Sequence, residues 1–267
     1  MTNCKTYPIL IIALLVVCLP VFAADSVDGA AAKGLEIAIE SKARDLGWKD
    51  SQGNLKMILK NQHGQTSTRE LHIKTLEQEN DGDKALTVFD SPKDVKGTSF
   101  LSFSHANVDD EQWLYLPALK RVKRISSRNK TGSFMGSEFS FEDMTSFEVE
   151  KFDYSYLRDE MVDGQDCYVL DNFPKDKNSG YSHRVTYTDK NEYRLRKVEF
   201  YDRKNELLKT LTMSNFTLHK DKYWRPGELH MVNHQSGKST ELSWDAYEIG
   251  VNLDENDFNK NALKRAR

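Results

Sequence analysis

The sequence contains few cysteines. Only three occur in 267 residues, and two of them, Cys4 and Cys18, lie in an N-terminal segment that we expect to be removed. Cys167 would then remain alone, which excludes an internal disulfide framework in the mature chain. The run Asp166–Leu170 around it is typical of a buried strand, so we expect an unreactive core thiol. Stability must therefore come from apolar burial and strand pairing.

Catalytic and metal-binding motifs are also lacking. The chain has no Gly-x-Ser-x-Gly and no His-Glu-x-x-His pattern. Residues 237–239 read Gly-Lys-Ser, like the end of a phosphate-binding loop, but Val232 stands where that motif requires glycine. His230 and His234 have the helical spacing of a metal pair, yet they fall on a strand and its turn. The sequence therefore predicts a protein that is not an enzyme and uses no cofactor or metal.

The charge balance lacks a basic excess. The net charge is −3 with a pI near 6.2, whereas a general nucleic-acid binder is usually basic. With 38% hydrophobic and 30% charged residues, the mature chain has the composition of a soluble globular protein. Its length is compatible with one large β-rich domain, which we expect to span residues 24–267.

Long hydrophobic runs are limited to one, at the N-terminus. A short polar start with the single cation Lys5 precedes the apolar run Ile9–Phe22, which ends in the small residue Ala23. This is the pattern of a secretory signal peptide, predicted here as residues 1–23. A membrane anchor is the alternative, but the run is shorter than the roughly 20 residues that a spanning helix needs. Val17 before Cys18 does not fit a lipoprotein signal.

Hydrophobic periodicity predicts a mainly β protein of the α+β class. Residues 25–46 have a helical stripe that Gly47 ends, and alternation of period two follows from about residue 50. Turn signals then recur at regular spacing, with Asp163-Gly164 as a strong hairpin turn. We expect about ten strands in one strongly curved antiparallel sheet, an unclosed β-barrel, with one or two helices that cover its concave apolar face.

The strand predicted at residues 112–117 is apolar on both faces. Trp113 and Tyr115 share one face, whereas Leu114 and Leu116 share the other. Such a strand either lies inside a core or lines a cavity.

A basic cluster follows this strand directly. Its six cations fall within eleven residues: Lys120, Arg121, Lys123, Arg124, Arg128 and Lys130. The cluster would attract phosphate headgroups, an anionic membrane surface or an acidic partner. Equally, it would suit a charged edge strand that prevents aggregation. The sequence leaves both interpretations open.

The next stretch, residues 132–144, is rich in phenylalanine and methionine between glycines. Its apolar side chains are Phe134, Met135, Phe139, Phe141 and Met144. Flexible surfaces of this kind adapt to irregular apolar ligands. A loop folded over the core is the alternative, and it is favoured if the stretch is considered alone.

Two long motifs carry a family resemblance. Residues 112–125 (QWLYLPALKRVKRI) and residues 132–139 (GSFMGSEF) closely resemble the outer-membrane lipoprotein-sorting protein family, whose fold is LolA/LolB-like. Shorter matching stretches occur at residues 45–48, 89–97, 200–203 and 257–258, so the resemblance covers nearly the whole mature chain. Members of the family are periplasmic and are often associated with exporters of the RND (MMPL-like) type.

The resemblance implies an unclosed barrel that binds a lipid or a lipoprotein acyl chain in an apolar cavity. We expect the cavity and its lid to be formed by Trp113, Tyr115, Phe134, Met135, Phe139, Phe141 and Met144. Headgroups or a partner would dock on Lys120, Arg121, Lys123, Arg124 and Arg128. The protein would contact membranes transiently while carrying cargo towards the outer membrane. Alternatively, it is an accessory protein of an RND-type exporter that has no lipid cargo of its own.

Overall fold

The structure is a computed structural model that describes residues 1–2 and 27–265. The predicted signal peptide, with Cys4 and Cys18, therefore lies almost entirely outside the described residues. No helix in this part of the chain is long and apolar enough to span a membrane.

Two α-helices flank a succession of strands. Helix α1 spans Val27–Arg44 and helix α2 spans Lys260–Arg265. The strands are β1 (Asp50–Lys60), β2 (Thr66–Leu76), β3 (Lys84–Ser91), β4 (Ser99–Phe103), β5 (Glu111–Leu116), β6 (Arg121–Ile125), β7 (Phe152–Val162), β8 (Gln165–Pro174), β9 (Tyr181–Asp189), β10 (Leu195–Asp202), β11 (Leu207–Ser214), β12 (Thr217–His219), β13 (Tyr223–Arg225), β14 (Glu228–Asn233) and β15 (Ser239–Ile249).

Thirteen of these strands form one curved antiparallel sheet, more than the ten expected. Their order is β6-β5-β4-β3-β2-β1-β15-β14-β11-β10-β9-β8-β7, while β12 and β13 form a separate hairpin. The first strand pairs with the last, so β6 and β7 become the two edges and the barrel stays unclosed. Residues 126–151 connect these edges and are called the plug segment below. The predicted fold class is confirmed.

The turn at Asp163 and Gly164 shows how local sequence sets the pairing. Both residues have positive φ, 48° and 76°, which is the backbone of a type I′ hairpin turn. Aspartate tolerates this conformation and glycine adopts it without steric cost. The turn joins β7 to β8 and places Val162 opposite Gln165.

Alternation along the strands separates two faces of the sheet. Cross-strand register places one set of apolar residues on a common side, here called the inner face. The buried members of this set include Leu55, Met57, Leu71, Phe89, Phe100, Leu114, Val198, Leu211, Met231 and Leu242. Each such side chain contributes about 1.5–3 kcal/mol when it is buried. The inner face therefore provides the main core of the molecule.

Helix α1 covers one end of the inner face. Ile37 and Ala38 are buried against Tyr154 and Leu170 of strands β7 and β8. Leu170 is paired with Thr186, and Thr186 is paired with Val198 of the main core. Paired residues lie on the same face of a sheet, so α1 lies on the inner side. This agrees with a helix on the concave apolar face.

Helix α2 lies on the opposite face, which the sequence analysis did not anticipate. Leu263 and Phe258 pack against Leu101 and Trp113 in a second apolar cluster. The hydroxyl of Ser99 donates to the Leu263 carbonyl oxygen over 2.6 Å. The C-terminal segment thus covers the outer side of strands β3 to β5.

Candidate functional site

The plug segment inserts an aromatic side chain into the middle of the inner face. Phe134 is 0% exposed, and its ring centroid lies 5.1 Å from that of Phe100 and 5.9 Å from that of Phe89. Phe141 of the same segment packs edge-on against Phe134 at 5.7 Å. Aromatic pairs in this geometry stabilise each other beyond the area that they bury. The segment is therefore part of the core in this state.

A tight turn in the plug segment directs Phe134 inwards. The Phe134 amide donates to the Phe139 carbonyl oxygen over 2.7 Å, so the segment folds back on itself. Met135 and Gly136 form the turn with positive φ values of 52° and 79°. A Cβ on residue 136 would meet no neighbouring atom, so glycine is required by the backbone rather than by space.

A buried ion pair holds the plug segment to the sheet. Lys209 of β11 donates to the Asp143 carboxylate over 2.6 Å, and the two side chains are only 4% and 7% exposed. The same ammonium donates to the Glu138 carbonyl oxygen over 2.8 Å. Tyr181 donates from its hydroxyl to the other carboxylate oxygen of Asp143 at 2.8 Å. The charges are thus satisfied within the protein.

This environment sets the ionisation of two groups. Burial opposes the charged form of Asp143, but the charge of Lys209 and its hydrogen bonds outweigh burial, so the pKa of Asp143 is lowered. Burial, together with the adjacent negative charge of Asp143, raises the pKa of Tyr181 well above its usual range. Tyr181 therefore remains a neutral hydrogen-bond donor.

Further polar contacts fix the plug segment along its length. Glu138 accepts a hydrogen bond from Asn233 of β14 over 2.7 Å, and its amide donates to Thr240 of β15 over 3.0 Å. The side-chain Nε2 of Gln112 on β5 donates to the Phe141 carbonyl oxygen over 2.7 Å. The segment is thus tied to both halves of the sheet.

The structure divides the predicted cavity residues into two groups. Phe134, Met135, Phe139, Phe141 and Met144 all lie in the plug segment against the inner face. Trp113 and Tyr115 lie on the other side of β5, in the cluster that α2 covers. Alternation within the strand separates them, since their neighbour Leu114 belongs to the main core. Trp113 and Tyr115 therefore do not adjoin the other five residues.

The predicted basic surface forms one edge of the sheet. Strand β6 contains Arg121, Lys123 and Arg124, and Lys120 and Arg128 flank it; all five side chains are exposed. These five residues are called the basic edge below. Arg124 pairs with Glu111 on the neighbouring strand at 3.1 Å. Lys130, the sixth cation, differs because it is mostly buried and pairs with carboxylates.

Sequence reasoning missed the charged residues of the inner face. Lys209, Asp143 and Arg184 all resembled solvated surface in the sequence. Lys209 carried a usable signal, because it alternates in register with Leu207 and Leu211 on strand β11. Arg184 carried none, since its alternation partners are polar.

The curved, unclosed antiparallel sheet with its inner face covered by α1 and the plug segment is a LolA-like fold. A LolA superfamily protein from Nitrosomonas europaea has this fold, with a TM-score of 0.68 at 19% identity over 86% of this chain and 98% of that one. At this identity the likeness concerns the fold alone.

Two more similar structures establish the family. An outer membrane lipoprotein-sorting protein domain from Vibrio parahaemolyticus is 60% identical, with a TM-score of 0.87, over 88% of this chain and 100% of that chain. A DUF1329 family protein from Desulfovibrio piger is 31% identical, with a TM-score of 0.83, over 88% and 99%. The chain belongs to the family of these two proteins, as the resemblance implied.

Two other comparisons complete these findings. A family model with the description "Uncharacterized protein" matches residues 81–265. The search of curated proteins gave no match.

Proposed function

We propose that the protein is a periplasmic carrier of lipid or lipoprotein acyl chains, which it binds on the inner face. The observation that supports this most directly is that a single connection, the plug segment, covers the centre of the inner face. Its apolar side chains, led by Phe134, occupy the surface that an acyl chain would need. The name of the 60% identical relative, a lipoprotein-sorting protein domain, supports the same class of cargo.

Ligand entry would exchange one apolar occupant for another. Each buried CH₂ of an acyl chain gains about 0.8 kcal/mol, and the departing side chains of Phe134 and Phe139 lose a comparable burial. The polar contacts of Asp143 and Glu138 would have to open as well. Burial of the acyl chain would have to offset both the lost burial of the plug side chains and the opening of these polar contacts, so return of the plug segment would favour release of the cargo. The plug segment would compete with the cargo for the inner face when the cargo is released.

The sequence pattern of the N-terminus supports a periplasmic function. The predicted signal peptide of residues 1–23 would deliver the chain across the inner membrane, and cargo would then move towards the outer membrane. The basic edge would meet anionic headgroups during transient membrane contact.

Native mass spectrometry of the mature protein purified from the periplasm, followed by lipid extraction, tests the proposal. A bound lipid of defined mass is the expected result, and it would identify the cargo. A protein that is empty and also fails to take up added phospholipid or acylated peptide would contradict it.

The basic edge supports a second candidate, an accessory protein of an RND-type exporter without lipid cargo. Arg121 and Arg124 are exposed on an edge strand, where an acidic partner could reach them. In that case Arg121→Glu with Arg124→Glu would abolish exporter binding, while Phe134→Ser with Met135→Ser would change little in a folded protein. The carrier function predicts the reverse sensitivity in lipid uptake.

A further inference from the structure

Arg184 of β9 is a cation on the inner face of the sheet. Register places it opposite Phe200, a member of the main core. Its side chain is partly exposed, but its Nε is enclosed and has no hydrogen-bond partner within the part of the chain that the structure describes. Burial lowers the pKa of Arg184, which still remains charged at any physiological pH. A buried N–H group without a hydrogen-bond partner is costly, so the Nε of Arg184 requires an explanation.

The acidic groups that face Arg184 are engaged elsewhere. Asp143 and Glu142 are the carboxylates whose negative charge acts on it most. Asp143 is held by Lys209 at 2.6 Å. Glu142 accepts hydrogen bonds from the Ser179 hydroxyl and, over 2.9 Å, from the Gly180 amide. Arg184 therefore keeps its donors available for another anion.

A second buried polar group without a hydrogen-bond partner lies beside Arg184. Asn172 of β8 is paired with Arg184 in the sheet register and is 1% exposed. Its amide nitrogen donates to Thr186 over 3.0 Å, but its Oδ1 has no hydrogen-bond partner among the described residues. Together the two residues offer donors for an anion and one acceptor for a hydroxyl group.

An aromatic stack leads from the surface to the guanidinium. The Cζ atom of Arg184 lies 4.0 Å from the ring centroid of Phe152, which immediately follows the plug segment. Phe152 stacks on Phe147 at 6.0 Å with an interplanar angle of 18°, and Phe147 is 38% exposed. The guanidinium thus packs on an aromatic ring, a contact that is compatible with bidentate recognition of a phosphate or carboxylate.

We propose that Arg184 is the headgroup site of the inner face: it binds the phosphate or carboxylate of a singly anionic amphiphile whose acyl chain replaces the plug side chains. This inference rests on the proposed carrier function and narrows its ligand to an anionic class. Asn172 accepts a hydrogen bond from the protonated oxygen or a neighbouring hydroxyl of the headgroup. Arg184 thereby fixes the position of the bound acyl chain along the inner face of the sheet.

The test compares matched ligands on the full mature chain. Affinities for dodecyl phosphate, dodecanoate, dodecanol and inorganic phosphate are measured by calorimetry on the parent protein and on Arg184→Gln. Arg196→Gln is the matched control, because the Arg196 Nε also lacks a partner among the described residues and its guanidinium lies over Phe216. Arg196 lies near Cys167, since its charge counters the rise in the pKa of that thiol. Cys167 is three residues from the inner-face residue Leu170 on β8 and therefore lies on the outer face, so Arg196 is not expected to meet the ligand.

The expected result is that the parent protein binds dodecyl phosphate and dodecanoate at least about tenfold more tightly than dodecanol. Arg184→Gln loses this preference and keeps its dodecanol affinity, whereas Arg196→Gln behaves like the parent. The midpoint of thermal unfolding of Arg184→Gln should stay close to that of the parent, because loss of the Phe152 contact is offset by removal of the unpartnered Nε. A purely structural arginine would give a clear fall in the midpoint without a change in ligand preference.

Four outcomes would overturn the inference. If the parent binds dodecanol as tightly as its anionic analogues, or if Arg184→Gln keeps the preference, Arg184 is not a headgroup site, although the carrier function stands. If inorganic phosphate binds equally well, the site takes free anions rather than amphiphiles. If dodecyl phosphate, dodecanoate and dodecanol all fail to bind, the carrier function itself is contradicted. Arg184→Lys, which keeps the charge without the planar fork, should retain only part of the preference.

Discussion

Lys209 and Asp143 form an ion pair of 2.6 Å in which both side chains are almost completely buried. Lys209 belongs to the sheet and Asp143 to the plug segment, so the pair joins the plug segment to the inner face of the sheet. Its charges are satisfied by each other, by the Glu138 carbonyl and by Tyr181. A buried pair of this kind is weak evidence for net stability, but its disruption leaves an unpaired charge.

Breaking this pair from one side should be strongly destabilising. Lys209→Met is expected to lower the free energy of unfolding by about 3–5 kcal/mol, because Asp143 would remain buried without its counter-charge. Urea denaturation measures the loss. The double variant Lys209→Met with Asp143→Leu should recover most of it. As a control, Arg44→Ala removes an exposed pair with Glu40 and should cost less than about 1 kcal/mol. Equal losses for Lys209→Met and Arg44→Ala would refute this role.

Asp83 predicts a pH dependence of stability. Burial raises its pKa to about 6, despite the opposing charge of Lys42. The unfolded chain has a value near 3.9, so the folded state binds more protons between about pH 4 and 6. The contribution of Asp83 to stability is therefore present below about pH 4 and is lost as the pH rises through 6.

Asp83→Asn should remove this dependence. The variant is expected to gain about 1–2 kcal/mol of unfolding free energy at pH 7 and to show a flatter profile between pH 4 and 6. Urea titrations at several pH values measure both effects. Asp153→Asn, at a position whose side chain is 75% exposed, is the control and should follow the parent curve. A loss of stability at pH 7 in Asp83→Asn would show that the charged form is the favoured one.

Phe134 should be the most sensitive apolar position of the plug segment. Its truncation to alanine leaves a cavity among Phe89, Phe100 and Phe141 and is expected to cost about 3–5 kcal/mol. Phe147→Ala provides the comparison, since that ring is 38% exposed and should cost about 1 kcal/mol or less. If both changes have the same small effect on the unfolding free energy, the plug segment does not belong to the core.

The basic edge should govern membrane contact rather than folding. Arg121→Glu with Lys123→Glu is expected to weaken binding to vesicles that contain an anionic phospholipid, with an effect that diminishes at high salt. The unfolding midpoint should not change, because both side chains are exposed. Lys204→Glu with Lys238→Glu changes the net charge equally at other exposed positions and serves as the control. Equal losses in both variants would indicate a general charge effect without a docking edge.

The sequence allowed much of the fold to be predicted, because alternation and turn chemistry are local. Asp163 and Gly164 marked their hairpin, and the run around Cys167 correctly predicted a buried strand, in which the residue is 0% exposed. Pairing between β1 and β15 was not predicted, since their nearly 200-residue separation leaves no local signal.

The candidate site was predicted only in part. The five apolar plug residues were found because Phe and Met are conspicuous between glycines. Trp113 and Tyr115 were grouped with them because alternation shows that a strand has two faces but not which element covers each one. The short helix α2, which covers the outer face, has no strong periodic signal of its own. Lys209 and Arg184 were missed because charged residues are usually solvated.

The most direct test of the central claim is to lock the plug segment in place. The Glu138 amide of the plug segment lies 3.0 Å from the Thr240 hydroxyl of β15, so we choose these two positions for a cysteine pair, and mass spectrometry first establishes that the disulfide forms. Cys167 is buried on the other face and does not compete. The variant Glu138→Cys with Thr240→Cys is titrated with dodecyl phosphate before and after reduction. We expect that the oxidised protein does not bind dodecyl phosphate and that reduction restores binding. Equal binding by the locked and reduced forms would show that the acyl chain does not enter where the plug segment lies.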